Sequence, residues 1–86
     1  MTIVQASRKL QFAYRECAAS ERRVRAANDQ FSAVMRAERK RRKITLGEMS
    51  KATAIARTTL SYLEHGKRWW TVKQAQAVEP LLRRMT

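Results

Sequence analysis

Apolar positions recur at helical spacing through most of the chain. Ala13, Cys17, Ser20, Val24, Ala27, Phe31 and Val34 follow at alternating steps of four and three residues, which is one stripe of a helix surface. A bulkier stripe runs parallel to it through Leu10, Tyr14, Cys17, Val24, Phe31 and Met35, broken by Glu21 and Asn28. Ser7 offers a helix cap, and Asn28-Asp29 offers both a cap and a break. The pattern predicts one helix over 7–27 and a second over 30–42, with one continuous helix as the alternative. Further on, Thr45-Leu46-Gly47-Glu48 is a capping box that opens a helix over 46–53. Residues 53–56 read as a tight turn. Arg57 to Glu64 forms the next helix, stopped at His65-Gly66, where glycine suits the left-handed position after a helix. Thr71-Val72-Lys73-Gln74 is a second capping box, opening a helix over 72–79 that Pro80 must kink or restart. Leu81 and Leu82 are then expected to bury, with Arg83 and Arg84 at the negative helix end. No strand alternation, repeat or low-complexity tract appears, so the predicted class is all-α.

Length adds a limit. Eighty-six residues suffice for one small domain plus an appended helix. A chain this short cannot enclose a deep pocket and keep much core, so an enzyme is not expected. No paired carboxylates, metal set or phosphate loop argues for one either. The expected organisation is an N-terminal helix over 1–28, serving dimerisation or packing, followed by a main domain over 29–86. Apolar content of 44% with only two Gly and one Pro argues against disorder.

Charge changes the picture more. Lys and Arg number 19 against 7 Asp and Glu, a net +12, which points to a polyanionic partner, nucleic acid first and anionic membrane second. The excess is uneven: +3 over 1–30, +5 over 31–43, zero over 44–65 and +4 over 66–86. A neutral segment thus lies between the run Arg39-Lys40-Arg41-Arg42-Lys43 and the pair Lys67-Arg68. Base recognition needs this division, because phosphate contacts give affinity and register while base edges give sequence information.

The lone Cys17 cannot form an intrachain disulfide, and with the single His65 it cannot complete a metal site, so no metal and no cofactor are expected. It reads as a small buried helix residue rather than a nucleophile. The start, Met1 to Ala6, lacks a basic lead and a long apolar run, so no signal peptide is expected, and no apolar stretch is long enough for a membrane span. A reducing cytoplasm fits the cysteine usage.

Residues 45–66 are the informative part. Met49, Ile55, Leu60 and Leu63 are apolar, and Ser50 is small where two helices would cross. A helix, a short turn and a second helix make a helix-turn-helix unit. The run Lys43-Ile44-Thr45-Leu46-Gly47-Glu48-Met49-Ser50-Lys51-Ala52-Thr53-Ala54-Ile55-Ala56-Arg57-Thr58-Thr59-Leu60-Ser61-Tyr62-Leu63-Glu64-His65-Gly66-Lys67 resembles the lambda-repressor-like, Cro/XRE-type helix-turn-helix family. Its most distinctive piece is Leu63-Glu64-His65-Gly66-Lys67. With flanking helices the resemblance covers about residues 30–82. Three positions depart from the family's habit: Leu46 stands for the usual Gln, Ala54 for the usual turn Gly, and Ser50 for the usual Ala.

The resemblance implies a lambda-repressor-like helical bundle with an extra N-terminal helix. The helix over 57–64 would lie in the major groove, with Arg57, Thr58, Thr59 and Tyr62 toward base edges. Lys40, Arg41, Arg42, Lys43, Thr45, Lys67 and Arg68 would meet the DNA backbone. Arg39 and Glu64 match positions that pair internally. The implied function is a small sequence-specific regulator of the phage or mobile-element kind, an autorepressor binding an inverted repeat of double-stranded DNA as a homodimer in the cytoplasm of a bacterial host. Leu10, Tyr14, Cys17 and Val24 on the N-terminal helix are the first candidate dimer surface, and the C-terminal helix is the second. The alternative is a helix-turn-helix antitoxin or inhibitor whose N-terminal helix binds a partner protein. Trp69-Trp70 lies outside the motif and is expected to plug the core under the last helix rather than stack on bases.

Overall fold

The computed structural model describes residues 1–17 and 20–83, and Arg84 of the expected terminal pair lies outside them. Five helices occur among the described residues: α1 (Ile3–Glu16), α2 (Glu21–Arg41), α3 (Leu46–Thr53), α4 (Arg57–Glu64) and α5 (Val72–Leu82). No strand occurs among the described residues. None of the described helices is long and apolar enough to cross a membrane.

The first half departs from the expected helix bounds. Helix α1 starts at a capping box on Thr2, whose hydroxyl accepts from the Gln5 N–H while the Gln5 side chain accepts from the Thr2 N–H. Ser7, the expected cap, is instead an interior helix residue, fully buried, accepting a hydrogen bond from Gln11. Helix α1 ends at Cys17, and α2 begins after Ser20. It then runs unbroken through Asn28 and Asp29, so the expected boundary between an N-terminal element and a main domain falls inside one helix.

Asn28 tolerates the helix interior because partners outside it occupy its amide. Its Oδ1 accepts from the Trp70 backbone N–H at 2.6 Å, and its Nδ2 donates to the Val24 carbonyl at 3.0 Å and the Tyr14 hydroxyl at 3.1 Å. The Tyr14 hydroxyl donates to the Trp70 carbonyl. The Trp70 indole N–H donates to Ser32 Oγ at 2.9 Å, and that hydroxyl donates to the Leu63 carbonyl at 2.6 Å. One chain of hydrogen bonds therefore joins α1, α2, the end of α4 and the residue leading into α5. A buried polar group left without a partner costs about 1–3 kcal/mol, so this closed set holds the four segments in a single arrangement.

The apolar core surrounds that chain. Ile3 and Leu10 come from α1, Phe31 and Met35 from α2, Met49 from α3, and Leu60 and Leu63 from α4. Trp70 closes the centre with Ala75, Val78 and Leu82 of α5. Phe31 meets the Trp70 ring edge-on, with centroids 4.7 Å apart and planes at 74°. Trp70 is the core plug expected of the Trp pair, whereas Trp69 is 40% exposed.

This core overturns the first candidate dimer surface. Leu10 and Val24 are 0% and 3% exposed within one chain, and Tyr14 is tied to Trp70, so their stripe is already covered. Cys17 is a half-buried helix cap with Arg23 Nη1 3.9 Å from its Sγ, not a buried interior residue. Helix α5 continues past Pro80 to Leu82, because a proline three residues from the end removes only one hydrogen bond of the last turn.

Candidate nucleic-acid interface

Helices α3 and α4 are eight residues each and are joined by residues 54–56. At the start of α3 the Thr45 hydroxyl accepts from the Glu48 N–H, and Glu48 Oε1 accepts from the Thr45 N–H, both at 3.0 Å. These bonds, the Thr45 N–H above all, hold the Glu48 carboxyl below its ordinary value. The connection turns on Ala54, at φ 61° and ψ 18°, a left-handed conformation that costs a residue with a Cβ about 1 kcal/mol. Thr53 supports it by donating to the Met49 carbonyl at 2.8 Å and accepting from the Ile55 N–H at 3.3 Å.

Helix α4 buries Leu60, Leu63 and Glu64 and turns Thr58 and Tyr62, four positions apart, outward on one face. Thr59 is half-buried at its edge. Arg57 is exposed, but its guanidinium lies back along α3: Nη1 is 3.7 Å from where a Cβ on Gly47 would stand. A Cβ at Gly47 would sit in ordinary contact with that guanidinium and with the Thr45 hydroxyl. Leu46 cannot brace α4 with a polar group, and Arg57 reaches across in the opposite direction.

The end of α4 is a Schellman stop. The Gly66 N–H donates to the Leu63 carbonyl and the Lys67 N–H to the Tyr62 carbonyl, with Gly66 at φ 73°. The same geometry ends α2, with Lys43 in the left-handed position at φ 56° and the Ile44 N–H on the Arg39 carbonyl. These two stops place the two basic segments. Lys40, Arg41 and Lys43 are exposed at one, Lys67 and Arg68 at the other. Arg68 stands over the Tyr62 ring, its guanidinium carbon 5.5 Å from the centroid.

All three arginines of the run are engaged with carboxylates. Arg41 holds Glu38 with two hydrogen bonds, at 2.7 and 3.3 Å, and this lowers the Glu38 carboxyl below its ordinary range. Arg42, half-buried, has its Nε 3.5 Å from Glu38 Oε2, an ion pair without a hydrogen bond. Arg39 points inward. Its Nη2 donates to Glu64 Oε1 at 2.6 Å and its Nη1 to the Ile44 carbonyl at 2.9 Å, so it ties the end of α2 to the end of α4. Glu64 is 2% exposed, and its Oε2 has no hydrogen-bond partner among the described residues.

The structure thus brings Thr58, Tyr62 and Arg68 onto one surface, with Lys67 beside them in sequence. It engages Arg41 and Arg42 with Glu38, and it uses both backbone-side polar groups of Thr45 in the cap. Gly47 and the Glu38 pairing were not singled out in the sequence. The one signal for Glu38 was its spacing, three and four residues before Arg41 and Arg42. Comparison with known proteins finds no match: no family model, no curated protein and no solved structure matches this chain.

Proposed function

We propose that this chain is a sequence-specific double-stranded DNA-binding regulator of the lambda-repressor-like helix-turn-helix kind, with α4 as the recognition helix. One observation carries the reading: two eight-residue helices are joined by three residues, the second turns the uncharged Thr58 and Tyr62 outward, and exposed cations precede and follow the pair in the chain. Thr58, Thr59 and Tyr62 supply hydroxyls and a methyl-bearing edge to bases, and Arg57 supplies a two-pronged donor once it swings from α3. Lys40, Lys43, Lys67 and Arg68 grip phosphates, with Arg41 and Arg42 held in reserve on Glu38. One short helix reads only part of a site, so the reading includes two copies on an inverted repeat, acting by occupying a promoter. Their contact lies away from the Leu10–Val24 stripe, which leaves the outer side of α5 as the surface for it.

A binding titration with the DNA upstream of the chain's own gene, beside scrambled DNA at two salt concentrations, tests this. Preference for the upstream DNA that persists at the higher salt is expected. Equal affinity for both would sink the reading and leave charge alone as the basis of binding. On the preferred site Arg57→Ala is expected to lose about 1–3 kcal/mol, with little change on scrambled DNA.

A further inference from the structure

We infer that the groove between α1 and α2 is a docking site for an acidic amphipathic helix of a partner protein. This inference is independent of DNA binding. The groove encloses about 690 Å³ and is open to solvent. Its apolar lining includes Ala13, Ala26, Ala27 and Phe12, the last 59% exposed. The lining runs over about two turns of α2, from Arg23 to Gln30. An apolar recess of this length suits the i, i+3, i+4, i+7 side chains of one helix.

The rim identifies the occupant. Arg8, Lys9 and Arg23 stand around the recess, and no carboxylate lines it among the described residues. A second copy docked face to face would set these cations against their own counterparts. Nor does the chain carry a carboxylate stripe to offer in another orientation. Of its seven acidic residues, Glu21, Glu38 and Glu64 are paired with arginines and Glu48 is held in a helix cap. Glu16, Asp29 and Glu79 lie on three different helices. Duplex DNA has no apolar side chain to fill the recess. A lipid surface would take up the exposed Phe12 ring but leave the alanines of the groove without a partner. An apolar stripe flanked by Asp and Glu meets both the lining and the rim.

The groove is also separate from the proposed reading face. On α2, Ala26, Ala27 and Gln30 face the groove, while Asp29, Ser32 and Arg36 face the end of α4. Both partners can therefore be held at once, and capture of an acidic helix would neutralise part of the charge without covering Thr58 or Tyr62.

The test selects helical peptides of about five turns, unbiased in charge, on the full chain, with a Phe12→Glu/Ala26→Glu variant as counter-selection. Phe12 and Ala26 are both exposed, so the variant is expected to keep the parent melting curve, which is checked first. Selected peptides should carry an apolar stripe flanked by Asp and Glu. One of them, synthesised, should shift the amide resonances of residues 8–13 and 23–30 and leave 57–68 in place. Arg23→Glu should weaken that peptide about tenfold or more, and exchanging its Glu for Lys should restore binding to the variant. Peptides without an acidic pattern, binding that survives counter-selection, or shifts centred on 57–68 would overturn the inference. So would groove shifts that depend on protein concentration without peptide, which would make a second copy the occupant. Equal engagement by phosphatidylglycerol vesicles would likewise replace the peptide with a lipid surface.

Discussion

Four residues hold more than their share of the strain and charge. Ala54 adopts a left-handed conformation that glycine takes without cost, so Ala54→Gly should raise stability. The gain should be at most about 1 kcal/mol, because glycine also loosens the unfolded chain. Urea titration measures it. Arg39 and Glu64 form a buried pair, and removing one partner strands the other charge. Arg39→Ala should cost about 3 kcal/mol, and Arg39→Met/Glu64→Gln less than the sum of its single changes, as a double-mutant cycle by denaturant unfolding would read. Glu48 supplies a pH dependence. Its carboxyl is lowered in the folded chain, so its contribution is complete above the ordinary value of 4.5 and fades as pH falls through the folded value. Glu48→Gln should therefore flatten the acid side of the melting temperature against pH. An unchanged slope would show that the cap carries no charge-dependent stability.

At the scale of elements, what could be read from the sequence divides by the range of its cause. The start of α3, the stop of α4 and the start of α5 follow from residues within a few positions of each other: Thr45 with Glu48, Gly66 with Leu63, Thr71 with Gln74. Those bounds were legible. The start of α1 uses the same chemistry, Thr2 with Gln5, five positions before the Ser7 cap that the sequence suggests. The break between α1 and α2 lies well before Asn28, which reads locally as a helix breaker because its partners are remote in sequence. Its decisive contact is with Trp70, 42 positions away, and no local pattern announces it. Asn28→Ala should expose this dependence. It removes the acceptor for the Trp70 N–H and should cost about 2 kcal/mol, visible in thermal unfolding and in lost hydrogen-exchange protection at Trp70. The stripe Leu10–Tyr14–Val24 is legible as a buried face. Its partner was the rest of the same chain, which the sequence does not disclose.

For the whole molecule, the net +12 resolves into uses. Arg39, Arg41 and Arg42 serve carboxylates within the chain, while Lys40, Lys43, Lys67 and Arg68 stay exposed around α4. The proposed interface was legible as a segment because charge and capping both marked it. Which cations were committed elsewhere was not, since that depends on where Glu38 and Glu64 end up. If the exposed four grip phosphates, affinity for any duplex should fall steeply with salt. Lys67→Ala should then lower the slope of log K against log salt by about 1. A slope unchanged by that substitution would remove Lys67 from the contact.

Adjacent tryptophans in opposite surroundings give the protein two optical reporters. Trp70 is fully buried with its indole hydrogen-bonded to Ser32, while Trp69, next to it in sequence, faces solvent beside the basic loop. Emission from Trp70 should be blue and shielded from iodide, and should redden only when the core opens. Trp69 should be quenched by iodide in the free chain and protected when a ligand covers the loop. Trp69→Phe would then leave a clean signal for unfolding, and the parent minus that variant a signal for binding. Unfolding and binding at the basic loop become separable in one cuvette.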